Sequence, residues 1–311
     1  MPNAENKQNY DSGANDAESH KIVAQYLIHL RTLTIVRHIL PTVIASQQHR
    51  GAALALLEGD TTYESKVGML EEEIDYRLAT LNLINSELSC PIKGQELENI
   101  GQEWLNVKTW SEGPILENYN LHSHFIDQQM SVCWRTAENG NLFFSLDIIN
   151  EIGGDEITND ALLARVILYE TPKLIELIAR IRGLATHASV LGRCDNEHHS
   201  RLKYLIRELN RKKEKFRLLS KSLYKYKLKD LPSLINLQMQ DIKIVQLIQL
   251  VEEKILREND IGRHNRDIFS MATNIITSHS EVVYQGLDYI QNKIHRTYEE
   301  KQLCLWQGNF S

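Results

Sequence analysis

The chain has 311 residues, of which only 15 are Gly and 6 are Pro, about half the usual share of these punctuating residues. So little turn chemistry argues against β-sandwiches, barrels and glycine-looped α/β enzymes. A composition 42% hydrophobic and 24% charged fits a helix-rich protein with one or two cores, and a net charge of −6 argues against whole-molecule attraction to nucleic acid.

The four cysteines, Cys90, Cys133, Cys194 and Cys304, are far apart and share no paired spacing. They read as reduced, mostly buried thiols of a cytoplasmic protein. No uninterrupted apolar run approaches the roughly 20 residues of a membrane helix, and the polar N-terminus lacks the apolar stretch of a signal peptide. A cytoplasmic protein with no membrane association is the expectation.

In chain order, residues 1–18 are polar and acidic and predict a disordered tail. From Ser19 to Leu57 apolar residues recur at helical spacing (Val23, Tyr26, Leu27, Leu30, Leu33, Val36, Leu40), with Pro41 marking a kink or a fresh helix start. A second helix covers about Tyr63–Leu88 and stops before Cys90-Pro91. Shorter helices follow over 95–106, 114–138 and 141–152; Asn139-Gly140 would suit a hairpin, but its flanks do not alternate. Helices over 159–191, 196–229, Pro232–Glu258 and 265–303 complete the chain. The fold class is all-α, with about eight main helices, in halves of about 19–155 and 156–304.

The halves share an echo. PTVIASQQHRGAALALLEGD places Arg50-Gly51 nine residues after Pro41, and PKLIELIARIRGLATHASVLGRCD places Arg182-Gly183 ten residues after Pro172. A third start at Pro232 lacks the Arg-Gly. Gly inside a helix costs about 1 kcal/mol against Ala, and a guanidinium on an inward face loses hydration. Glycine permits close approach of a backbone or ligand; arginine offers a planar fork of donors for a carboxylate or oxyanion. One such fork per half could hold a small anion between the halves. Alternatively Arg50 and Arg182 pair with carboxylates such as Glu58 or Glu176, and the glycines serve helix packing.

At these residues the chain resembles the NIT (nitrate- and nitrite-sensing) domain family. Gln47 three residues before Arg50-Gly51 is similar to that family's first signature, and Glu176 six before Arg182-Gly183 to its second; Asp267–Ile290 is similar to the closing helices. The resemblance spans residues 35–300. It implies two four-helix bundles in a sensor domain over 19–304 that binds nitrate or nitrite between Arg50 and Arg182, beside Gly51 and Gly183. The family's further basic residue falls nearest Lys243 by the repeat register. Its members are joined to output modules; eight residues follow the last predicted helix here, so signalling would pass through a separate regulatory partner, or the chain is a fragment or a solitary relative, with homodimerisation left open.

Other constellations favour neither an enzyme nor a metal centre. His122-x-His124 and Cys194-Asp195-x-x-His198-His199 contain metal-ligand types without a matching second pair, and read as surface or loop histidines. Glu71-Glu72-Glu73 with Asp75 reads as a solvated face. No phosphate loop or nucleophile elbow occurs, so no catalytic residue and no cofactor is expected. The segment 201–229 carries twelve Lys or Arg against Glu208 and Glu214, with Tyr204, Phe216, Tyr224 and Tyr226 interleaved. It reads as an amphipathic helix with a cationic outer face, or as a nucleic-acid surface. The function expected is transcriptional or other signal regulation of bacterial type by anion sensing; the alternatives are a ligand-free helical scaffold or adaptor, and a nucleic-acid-binding regulator.

Overall fold

Pro41 does not end the first helix. Helix α1 runs unbroken over Ala4–Leu57, about 80 Å at 1.5 Å per residue. Pro41 has no N–H to donate, and the next residue, Thr42, turns its hydroxyl back to the His38 carbonyl at 2.9 Å. The helix also continues through the polar N-terminal stretch read from the sequence as a tail, because extending a formed helix adds one bond per residue fixed. The structure, a computed structural model, describes residues 4–87, 92–110, 113–142, 162–224, 231–257 and 264–308. The helix expected over 141–152 lies outside the described residues beyond Leu142, as do Cys90-Pro91 and residues 225–229 with Tyr226.

After a 3-10 turn at Thr61–Tyr63 come α2 (Glu64–Glu87), α3 (Gly94–Thr109) and α4 (Ile115–Asn139). The second half comprises α5 (Thr171–Leu191), α6 (Asn196–Tyr224), α7 (Pro232–Val251) and α8 (Asn265–Gly308). No strand occurs among the described residues, and the fold is all-α. Pro172 does not break its helix either. The turn before it widens into a π-helical stretch, Val166–Glu170, which accommodates the missing donor and the ring, and Thr171 Oγ1 donates to the Val166 carbonyl at 2.8 Å. Helix α5 ends at Gly192, whose φ of 68° is the left-handed cap that glycine adopts without strain.

Helices α1–α4 pack as one four-helix bundle and α5–α8 as a second. The two meet along a seam where α1 lies against α5 and α8. Across it Arg37 donates to Asp288 at 2.6 Å, Tyr26 stacks on Tyr298, and the Tyr26 hydroxyl bonds His295. One apolar cluster runs through both bundles, from Leu33, Ile35 and Ile39 on α1 to Ile275, Val282 and Leu287 on α8. By length and composition α1 contains a stretch apolar enough to cross a membrane, near the N-terminus and half buried inside the protein.

Helix α6 buries Leu202, Leu205, Leu209, Phe216 and Leu223, the stripe its spacing predicts. The glycines that packing demands are not those of the Arg-Gly pairs. A Cβ on Gly286 would overlap the Ile167 side chain, and one on Gly140 would overlap the Thr32 side chain.

Candidate functional site

Both Arg-Gly pairs come to the seam. Arg50 on α1 has no exposed surface, and Arg182 on α5 is 3% exposed. Their surroundings differ in kind. Arg50 forms a two-pronged pair with Glu176 of α5, Nη1 to Oε1 at 2.7 Å and Nη2 to Oε2 at 3.2 Å, and Nη1 also donates to Ser123 Oγ. Gln47 Nε2 donates to Glu176 Oε2 at 3.0 Å. Arg180 Nε donates to Glu176 Oε1 at 2.6 Å, while its Nη2 reaches Asp127 on the edge of α4 at 2.7 Å. Burial by itself would raise the Glu176 carboxyl; the Arg50 and Arg180 charges hold it below the usual carboxylate range.

Arg182 has no carboxylate within salt-bridge distance among the described residues. Its Nη1 donates to Thr273 Oγ1 of α8 at 2.9 Å, its Nη2 makes a long bond of 3.4 Å to the Gln47 carbonyl, and its Nε makes no hydrogen bond. The guanidinium lies over the Phe269 ring, 4.9 Å from its centroid. Burial, and then the Arg50 charge, push its pKa down to about 10. With Glu176 matched by Arg50, and Arg180 held at the edge by Asp127, Arg182 is left without a carboxylate partner of its own among the described residues.

A cavity of about 20 Å³ adjoins it, lined by Gly51, Leu54, Glu58, Gly183, Thr186, His187 and Phe269 among others. That is room for about one water. The Thr186 hydroxyl has no partner. A Cβ on Gly51 would sit 3.9 Å from Arg182 Nη2 and from Phe269, and one on Gly183 would sit 3.6 Å from Leu54 and Tyr119. Both are ordinary contacts, so the bare backbone at Gly51 leaves space beside the guanidinium rather than relieving a clash.

Lys243 is not at this site. The inward stripe of α7 is Ile244, Leu247, Ile248 and Val251, which turns Lys243 to the exposed face; the register that starts at Pro232 does not follow that of the Arg-Gly helices.

The histidines read as surface or loop residues need correction. His122 is fully buried and His198 is 2% exposed. His122 Nε2 lies 2.7 Å from His49 Nδ1, and His198 Nε2 lies 2.6 Å from His187 Nδ1; both ring pairs stack. They are buried because α1 and α5 each turn a histidine inward next to their Arg-Gly. His124 has the expected exposure, facing Glu103 at 3.5 Å, and His199 is partly exposed. Burial lowers His49 to about 4 and puts His122 well below its usual range. Among the described residues no group of three or more His, Cys, Asp or Glu is arranged to hold a metal ion.

On α6 much of the basic charge is paired: Arg201 with Glu197, Arg211 with Glu208, Arg217 with Glu214, and Lys212 and Lys215 with Glu170. Asp75, expected on a solvated face, accepts from Trp104 and Lys108 of α3.

No family model, curated protein or solved structure matches the chain.

Proposed function

We propose that the protein is a sensor of a small oxyanion, nitrate or nitrite, held by Arg182 at the seam between the bundles. One observation carries this reading: a buried guanidinium with no carboxylate partner, bordering a cavity that also holds an unpaired hydroxyl. A buried charge left unpaired is costly, and a monovalent oxyanion would compensate it. The Nε–Nη2 edge of Arg182 has one free donor and one weakly engaged donor, the planar fork that suits two oxygens. The resemblance of the Arg-Gly segments to nitrate- and nitrite-sensing domains supports the same ligand class.

In this reading Arg50 acts at one remove. Its fork is taken up by Glu176, so it sets the position of α1 against α5 and adds positive potential at Arg182. The cavity fits a water, and an oxyanion of three or four heavy atoms is larger. Binding therefore favours an arrangement with the α1–α5–α8 seam opened, and the shift is set by the difference in affinity between the two arrangements. A regulatory partner, or a second copy of the chain, reads that change.

The test is thermal unfolding in nitrate, nitrite, chloride and sulfate at matched ionic strength. A saturable rise in Tm with nitrate or nitrite at low concentration is expected. Equal, non-saturating shifts with all four salts would instead favour a helical scaffold without a ligand.

A further inference from the structure

Four side chains link the Arg182 cavity to the surface. Glu58 Oε1 lies 2.6 Å from His187 Nε2, His187 Nδ1 lies 2.6 Å from His198 Nε2, and His198 Nδ1 lies 2.9 Å from Asp195 Oδ1. Glu58 and His187 line the cavity. The Asp195 side chain is 49% exposed and also accepts the His198 backbone N–H at the start of α6. Imidazole nitrogens 2.6 Å apart leave no place for a metal ion between them, since each metal–nitrogen bond needs about 2 Å.

Counting hydrogens gives the state of this chain. Its three links need one hydrogen each. Ionised carboxylates supply none, and two neutral imidazoles supply one each. A third proton is therefore required, and because carboxyls are stronger acids than imidazole by about two pKa units, it resides on a ring as imidazolium. Burial lowers the proton affinity of His187, with the Glu58 carboxylate opposing, and the 2.6 Å link between the two rings lets them share the charge. The pair in the first bundle is the contrast. His122 Nδ1–H donates to the Asn118 carbonyl at 2.9 Å, leaving its Nε2 to accept from His49 Nδ1–H. Two hydrogen bonds and two hydrogens close that pair in the neutral form, with the Glu71 carboxylate 3.5 Å from His49 Nε2 but not hydrogen-bonded to it.

We propose that Glu58–His187–His198–Asp195 is a proton-binding site coupled to the anion site, so that the anion is taken up together with a proton. The ligand in this inference rests on the oxyanion reading above; the stored proton does not. With the imidazolium present the four groups carry one net negative charge, and without it two. Among the described residues the charged and titratable groups at the histidines and their cavity are Glu58 from α1, Arg182 from α5 and Asp195 before α6; α8 contributes Phe269, which is apolar. Loss of the proton thus adds negative charge at the wall of the cavity where Arg182 receives the anion. Affinity falls as pH rises, and on the alkaline side each anion brings a proton with it.

Two measurements test this. Histidine-selective ¹⁵N NMR of the ligand-free protein, from about pH 5 to 9, reads the store directly. The expected result near pH 6 is an imidazolium in the His187–His198 pair and a neutral His49–His122 pair; neutral rings in both pairs would overturn the store. Calorimetry with sodium nitrate and sodium nitrite, in two buffers of different ionisation enthalpy, reads the coupling. Up to one proton taken up per anion is expected, with affinity falling by as much as about tenfold per pH unit on the alkaline side. Asp195→Asn keeps a good helix cap and removes the outer charge, so proton uptake should move to lower pH. Anion binding with no proton exchange at any pH would overturn the coupling and leave the anion site standing. An imidazolium with no anion binding would overturn the anion reading and the coupling, and leave the proton site.

Discussion

In the first bundle Arg50 grips Glu176 with both prongs, and the neighbouring His49 closes a neutral pair with His122. In the second bundle Arg182 lacks a carboxylate, and His187 joins a chain with a carboxylate at either end. Similar sequence segments have thus become a structural clamp on one side of the seam and an electrostatically incomplete site on the other. The difference shows that Arg-Gly in a buried helix does not define a ligand site. What defines one is whether the fold also delivers a carboxylate, and Glu176 lies six residues before Arg182 yet reaches Arg50.

The largest expected effect comes from acid, and it draws on both bundles. His29, His49 and His279 are lowered from 6.5 to about 4 by burial. A histidine with a depressed folded pKa contributes stability that is full above the unfolded value and is lost as pH falls towards the folded one. Urea unfolding should lose several kcal/mol in total between about pH 6.5 and 4. A flat profile there would show that these rings are not buried neutral. On the proton-site proposal the His187–His198 pair adds little to this loss.

Next in size is a paired exchange at the two arginines. Arg50→Met leaves Glu176 without its main partner and should cost about 3 kcal/mol in urea unfolding. Arg182→Met replaces a buried charge that lacks a carboxylate partner by an apolar chain over Phe269 and should stabilise by about 1 kcal/mol. Equal losses at the two positions would break the comparison.

The glycines offer a similar contrast. Gly286→Ala forces a Cβ against Ile167 and should cost about 1–3 kcal/mol. Gly51→Ala meets only ordinary contacts, so its stability should change by less than about 1 kcal/mol. It should nonetheless weaken anion binding by filling the space beside Arg182, a separation visible by running unfolding and titration on the same protein.

The helices were legible because so few residues could interrupt them and Pro114, Gly140, Gly192 and Pro232 fell at their ends. Pro41 opens no fresh helix, since a long helix can carry a single proline at the loss of one backbone hydrogen bond. Arg50, Arg182, Gly51 and Gly183 were picked out from sequence and do meet at the seam, and Glu176 was named as a partner. Which arginine Glu176 would take was not legible, because it depends on how α5 faces α1. Thr273 and Phe269 were missed as parts of the Arg182 pocket, since an ordinary helix position carries no local mark of a contact 91 residues away. The histidine pairs left a faint signal: His49 and His187 each sit close to an Arg-Gly, but their partners lie on other helices.

Isothermal titration of nitrate and of nitrite into the wild-type protein and into Arg182→Met tests the central claim most directly. Saturable binding of at least one anion near one per chain in the wild type, abolished in Arg182→Met although that variant is folded and at least as stable, is the expected result. No binding to the wild type, or binding unchanged by the substitution, would contradict the assignment of Arg182 as the anion-holding residue.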